Sequence, residues 1–318
     1  MISATRSTRR TRARPAKSHA KPRSRSHVQP RSERRILVAT AGEAESRGAL
    51  RFTAALAARD ASPVLALGVA TLLPRGMASL VTARQPVALD ERSRLEVLDN
   101  VRHTVQGVPG ADAWEKRAFI GMPADVINAT ASRWKASMIV LGIGRHNRID
   151  RMFGTETAVA VMRRARIPVL AVPQLVRALP VRAVAALDFT AASLAAATLA
   201  ADLLADDGTL LLAHVCAFRG AKAKVGDLVD VYRAGARAKL NEAVRMVQRR
   251  TKRQVEGVML EGEAGAALVA YARREHCDLI ALGGHQLGLM DRILLGSVRT
   301  RIVRDAPCAV LIAPPEPS

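Results

Sequence analysis

Aromatic residues make up only 3% of the 318-residue chain, against a hydrophobic fraction of 49%. A core with so few rings has to be filled by Ala, Val and Leu, which suits helices lying on a parallel sheet. Trp114, Trp134, Tyr232 and Tyr271 are too scattered to form a base-stacking platform. Cysteine is scarce as well. Cys216, Cys277 and Cys308 stand far apart, form no CxxC pair and have apolar neighbours. They read as buried thiols in a reducing compartment, which excludes a disulfide scaffold. His276-Cys277 is adjacent rather than spaced for a metal, so zinc is not expected. No apolar run reaches the ~18–20 residues that cross a bilayer, and no hydrophobic segment follows the basic N-terminus. The expectation is a cytoplasmic protein without a membrane span.

Negative charge is also in short supply: 28 acids face 49 Lys and Arg, for a net charge of +21. Residues 1–35 hold twelve Lys/Arg against one acid, Glu33, and so contribute eleven of those charges. This stretch has almost no large apolar residues, cannot offset its ordering entropy by burial, and reads as a disordered arm over residues 1–34. Such an arm attracts polyanions in a salt-dependent way. It can serve as a contact for nucleic acid or an acidic partner, or be a solvated tail with no dedicated partner.

Beyond the arm the chain repeats itself. MIVLGIGRHNRIDRMFGTETAVAVMRRARIPVLAVP (138–173) parallels LIALGGHQLGLMDRILLGSVRTRIVRDAPCAVLIAP (279–314). Gly142 maps to Gly283, Gly154 to Gly296 and Val169-Leu170 to Val310-Leu311, at offsets of 141, 142 and 141 residues. RILVATAGEAESRGAL (35–50) parallels VRAVAALDFTAASLAAA (181–197). The expected organisation is a first domain over 35–174, a linker over 175–180 and a second domain over 181–315. Each unit alternates short apolar strands with helices, which implies a parallel sheet covered on both faces. In the second unit VRAVAALD, TLLLAHVCA, QVEGVML, CDLIALG and AVLIA read as strands, and Thr190 as the cap of the Ala-rich helix after the first. Residues 227–250 have helical spacing, with Leu228, Val231, Leu240, Ala243 and Val247 among the apolar positions. Ligands of such sheets bind beyond the carboxyl ends of the strands, at the topological switch. Asp188, Val215 and Gly283 all fall at strand ends.

Gly283, Gly284 and Gly288 precede a helix that begins near Gly296-Ser297. Glycines there let backbone N–H groups converge, and the helix's first turn adds unpaired donors and partial positive charge. Together these suit a phosphate, with Ser297 supplying a hydroxyl. Glycine also serves tight turns by geometry alone, and both readings stand on the sequence.

The pattern resembles the universal stress protein family, whose nucleotide-binding members carry a G-x2-G-x9-G-[S/T] loop between the fourth strand and the last helix. Gly283 stands at the first glycine, Gly296 at the last and Ser297 at the hydroxyl; LLGSV and DAPCAVLIAP are close to the family's wording. LDFT resembles its first-strand D-x-S/T, which implies Asp188 and Thr190 at adenosine, and His214-Val215 its second-strand position, which implies the Val215 backbone at adenine. The resemblance covers about residues 35–315. It implies two tandem doubly wound α/β domains of flavodoxin-like or adenine nucleotide alpha hydrolase-like type, a stress-response role, and ATP with Mg2+ in the second unit, with Gly283, Gln286, Gly296, Ser297 and Val298 at the phosphates. It implies a binding protein, with slow ATP hydrolysis as the rival, and carries no catalytic residue over. His285 has no second positioned group beside it. The Ser-Gly-Gly-Gly-x-Asp and His-x-Gly-His words of hydrolysing and nucleotidyl-transferring relatives are absent.

The chain departs from the family pattern in both units. Gln286 occupies the middle glycine, either blocking phosphates or donating its amide to them. In the first unit the acidic position reads Ala41, Gly142 to Gly154 is one residue short, and Gly144 is shifted, though Thr155 can replace the serine. Arg145, His146 and Arg148 make that loop basic. The first site therefore reads as degenerate. PVLAV and AVLIA end the two units as short apolar strands, which are a liability unless paired. Pairing them with each other gives a pseudo-twofold arrangement, and two chains can associate further into a homodimer. Deleting residues 1–34 should lower DNA retention at low salt and flatten its salt dependence; unchanged retention on a DNA column clears the arm of any part in it.

Overall fold

The computed structural model describes residues 34–40, 45–71, 86–144, 155–216, 226–284 and 297–314. The first unit contains β1 (Ile36–Ala39), α1 (Ser46–Asp60), β2 (Val64–Ala70), α2 (Pro86–Val105), β3 (Glu115–Ile120), α3 (Pro123–Arg133), β4 (Met138–Ile143), α4 (Thr155–Arg164) and β5 (Val169–Pro173). The second contains β6 (Arg182–Ala186), α5 (Ala191–Leu203), β7 (Thr209–Cys216), α6 (Gly226–Gln248), β8 (Gln254–Glu261), α7 (Ala264–Arg274), β9 (Leu279–Leu282), α8 (Ser297–Asp305) and β10 (Ala309–Ile312). All strands join one sheet in the order β3-β2-β1-β4-β5-β10-β9-β6-β7-β8. Every ladder is parallel except β5–β10, where Val310 faces Ala171, Leu311 faces Leu170 and Ile312 faces Val169. The last strands of the two units thus pair with each other.

Strand alternation divides the core into two layers. Ile36, Val38, Val140 and Leu311 join Phe52 of α1, Val101 of α2, Leu203 of α5 and Leu240 of α6. Leu37, Ile139, Val310 and Ile312 face the opposite layer, with Ile127 of α3, Val161 of α4, Leu268 of α7 and Ile302 of α8. Leu, Ala and Val supply most of this interior. Trp114, Trp134 and Tyr271 are buried at different places in it. Val231, expected among the apolar positions of the long helix, is 69% exposed. The inward stripe of α6 runs through Val229, Ala236, Leu240, Ala243 and Val247 instead, because residues 230–235 stand clear of the sheet.

The cysteines are buried and free. Burial pushes the Cys277 thiol up to about 11, so it stays protonated. Among the described residues no helix is long and apolar enough to cross a membrane, and no group of three or more His, Cys, Asp and Glu can hold a metal ion.

The units are also joined through side chains. Arg59, in the last turn of α1, donates to Leu204 O at 2.8 Å and Asp202 O at 2.7 Å, satisfying carbonyls at the end of α5. Asp60 holds Arg59 in place by accepting from its Nε at 2.7 Å, and also takes Arg34 Nη1 at 2.5 Å. Arg304 of α8 pairs with Glu156 of α4 at 2.7 Å, so the last turn of one helix touches the first turn of its counterpart. Asp278 accepts from the amides of Val181 and Arg182 at 2.9 and 3.0 Å and anchors the start of β6. Replacing Arg59 with Ala leaves partly buried carbonyls without their donor. It should lower unfolding stability by about 1–3 kcal/mol, read as a lower urea midpoint.

Candidate functional site

The chain reverses direction about the sheet at β6 and β9, which are neighbours with Ala183 opposite Leu279 and Ala185 opposite Ala281. One strand feeds a helix on one face and the other a helix on the opposite face, which opens a crevice beyond their carboxyl ends. Asp188 lies just past β6, and Gly283 and Gly284 just past β9.

Local hydrogen bonding sets the first of these ends. Asp188 Oδ1 accepts from Thr190 N at 3.0 Å and from Thr190 Oγ1 at 2.5 Å. Thr190 Oγ1 in turn accepts from Ser193 N at 3.3 Å, and Ser193 Oγ donates to Thr190 O at 2.9 Å. Thr190 is therefore the expected cap of α5. Asp188, which the sequence alone left open as a cap itself, instead holds the cap residue in place. Phe189 between them adopts φ +65°, an uncommon conformation for a residue with a side chain. Its ring contacts His214 with centroids 4.5 Å apart.

His214 is a structural residue. Its Nδ1 lies 2.8 Å from Leu187 O, so that nitrogen carries the proton and donates. Its Nε2 then accepts from the Tyr232 hydroxyl at 3.2 Å. Both nitrogens are engaged in tying β7 to the end of β6, immediately before Asp188.

The turn-geometry reading of the glycine acquires a physical cause. A Cβ on Gly283 would come within 2.6 Å of Ser193 N and 2.7 Å of Ala192 C, so the end of β9 touches the first turn of α5 at a distance only glycine allows. Gly142 has the same place in the first unit, where a Cβ would lie 2.7 Å from Glu45 O. This contact brings Asp188 and Gly283 together.

Val215 is half-buried near the end of β7, opposite Leu260 of β8, and packs on the same layer as half-buried Val298 of α8. Ser297 is the first residue of α8. Gln286 and Gly296, like His285 and Gly288, lie outside the described residues. So do Ala41, the basic Arg145, His146 and Arg148, and Gly154. Of the remaining first-unit positions, Gly142 is inside β4, Gly144 directly follows it and Thr155 opens α4. A Cβ on Gly144 would meet Glu45 Cγ at 2.6 Å and Oε1 at 3.6 Å, so a carboxylate lies across that strand end. A second acid, Glu156, stands in the first turn of α4.

Arg299 escaped the motif-based reading. It occupies the first turn of α8, where residues 299, 302, 303 and 306 recur at helical spacing, and Ile302, Val303 and Ala306 are buried. The periodicity therefore turns Arg299 inward, and its side chain is half-buried. Desolvation holds its guanidinium below the usual arginine value, while the nearby Asp188 carboxylate acts in the other direction. The spacing was visible in the sequence; the proximity to Asp188 was not. A separate cavity of about 450 Å³ lies beneath linker residues Gln174–Val181 and is bordered by Cys277 and Cys308, at the opposite end of the second-unit strands from Asp188.

Comparison with known proteins supplies the family. The model of the universal stress protein family matches residues 33–173 and again residues 182–314. The chain belongs to the universal stress protein family, with its adenine nucleotide alpha hydrolase-like fold present twice in tandem. A universal stress protein of Methanocaldococcus jannaschii is 41% identical over 54 residues, which are 17% of this chain and 32% of that protein. One of Thermus aquaticus is 35% identical over 57 residues, 18% of this chain and 42% of its own length. The matched segments thus span well under half of these curated relatives. The crystal structure of a universal stress protein from Archaeoglobus fulgidus matches 88% of this chain and 97% of its own, with a TM-score of 0.62 and 16% identity, a likeness of fold.

The mouth of the second unit is braced by Glu263, which caps α7 by accepting from Gly265 N and Ala266 N, each at 2.9 Å, and ties α8 to it through Arg301 at 2.9 Å. Those amide bonds, helped by the Arg301 charge, hold the Glu263 carboxyl below its ordinary value. A depressed carboxyl stabilises the fold above its unfolded-state pKa, about 4.3, and that stabilisation is lost as pH falls through the folded-state value. Glu263→Ala should therefore cost about 1 kcal/mol at neutral pH, with the gap from wild type closing in urea titrations below about pH 4.

Proposed function

We propose that this universal stress protein binds an adenine nucleotide, ATP with Mg2+, in its second unit. The crevice beyond β6 and β9 would hold it, and the first unit would serve mainly as the structural partner. Asp188, oriented by Thr190, would meet the adenosine together with the Val215 backbone. Gly283, Gly296, Ser297 and Val298 would meet the phosphates, with Gln286 donating its amide to them. The protein would act as a cytoplasmic binding protein of a stress response, with domain boundaries at 35–174 and 181–315.

The observation that carries this reading is the opposite charge at the two strand-end crevices. In the second unit a half-buried arginine points inward from the first turn of α8, within the field of Asp188. In the first unit Glu45 lies across Gly144 and Glu156 sits in the first turn of α4. A nucleotide's phosphates would be attracted to the former and repelled by the latter, because like charges in a partly desolvated crevice are costly. Family membership supports the same choice of ligand class.

Binding to the folded state alone stabilises it by RT ln(1 + [L]/Kd), about 2.7 kcal/mol at a hundredfold excess over Kd. For a chain of this size that corresponds to a Tm rise of about 4 °C. Melting with and without millimolar Mg-ATP should show the rise. No shift, together with no nucleotide retained on purification, removes the binding claim.

A further inference from the structure

Arg299 is costly where it stands. A cation in the first turn of a helix opposes the helix dipole, whose positive end lies there. Turning inward also strips water from the guanidinium. Buried or half-buried arginines ordinarily recover such costs through a carboxylate in contact. Arg301 and Arg304 on the same helix do so, at 2.9 Å from Glu263 and 2.7 Å from Glu156. Among the described residues, no carboxylate lies within ion-pair distance of Arg299. Asp188 reaches it through its field, and that carboxylate is already occupied by Thr190. The corresponding position of α4 in the first unit, three residues after Gly154 as Arg299 is three after Gly296, is Thr157. The arginine is therefore a property of the second unit, and the repeat does not require it for packing.

We propose that Arg299 is the charge-selecting residue of the second-unit crevice, which makes the site take ligands through a phosphate or polyphosphate group rather than through the nucleoside. The inference rests on the nucleotide reading above and names the determinant within it. The guanidinium sits at the end of an inward stripe above the β6–β9 crevice, and an anion placed there meets a cation that no described carboxylate neutralises by contact. A guanidinium offers paired N–H donors to phosphate oxygens and keeps its charge at any physiological pH. At the middle-glycine position of the family loop this chain has Gln286. A fixed cation in the following helix compensates for weaker gripping by backbone amides.

The test compares the full chain with Arg299→Met and Arg299→Lys, titrated calorimetrically with Mg-ATP, adenosine and inorganic pyrophosphate at several salt concentrations. Wild type should bind ATP well ahead of adenosine. Arg299→Met should weaken ATP and pyrophosphate at least tenfold, leave adenosine unchanged and flatten the salt dependence of ATP affinity, while Arg299→Lys should recover part of the loss. In the absence of ligand, Arg299→Met should raise the urea midpoint, because it removes an uncompensated cation; a purely structural arginine would lower it. Undiminished ATP affinity in Arg299→Met, or equal losses of ATP and adenosine, overturns the proposal while leaving nucleotide binding intact. If wild type binds neither nucleotide, the nucleotide reading fails, and pyrophosphate decides this one. An Arg299-dependent pyrophosphate affinity upholds it, and an Arg299-independent or absent one overturns it.

Discussion

The short antiparallel ladder between β5 and β10 is what makes two repeats into one protein. Leu170, Ala171, Val310 and Leu311 have no exposed surface, and each strand buries both faces. Unpaired, either strand would be a flat apolar edge offering a row of backbone donors and acceptors to any passing chain. Paired, they close both edges at once and let the two core layers run continuously through the molecule. Arg59 on one side of the sheet and the Arg304–Glu156 pair on the other then bind helices of the two units across that junction.

This joint relieves the two units of the need to be chemically alike. Each requires its partner for its last strand, and neither requires the partner to hold a ligand. The first unit keeps the glycine that the fold needs, Gly142 against the first turn of α1, while acids occupy its mouth. The second keeps Gly283 for the same packing reason and carries an arginine inward. The strand-end glycines serve the architecture in both halves, and the charges beside them differ. That separation explains why glycine spacing alone is a weak guide to a phosphate site here.

Much of the fold was legible in the residues. Short apolar strands alternating with helices predicted the parallel sheet, and the 141-residue offset predicted the duplication. Thr190 as helix cap follows from local chemistry. So does the pairing of PVLAV with AVLIA, since an apolar terminal strand needs a neighbour. Val231 was misjudged because helical spacing marks a face without saying how far the sheet extends beneath it. Asp188 was half legible: its place at a strand end was plain, but its bond to Thr190 depends on the backbone turn through Phe189 at positive φ.

The sequence by itself determined the strand and helix periods, the tandem organisation and the family motifs, because these depend on neighbours within a few residues or on simple repetition. The tertiary structure decided which glycines mark close backbone contacts, that His214 is tied to Leu187 and Tyr232, and that Glu45 and Arg299 give the two crevices opposite sign. Those properties depend on distances between residues that are remote in the chain, and on how much water is removed around each charge. No local pattern of amino acids encodes either quantity.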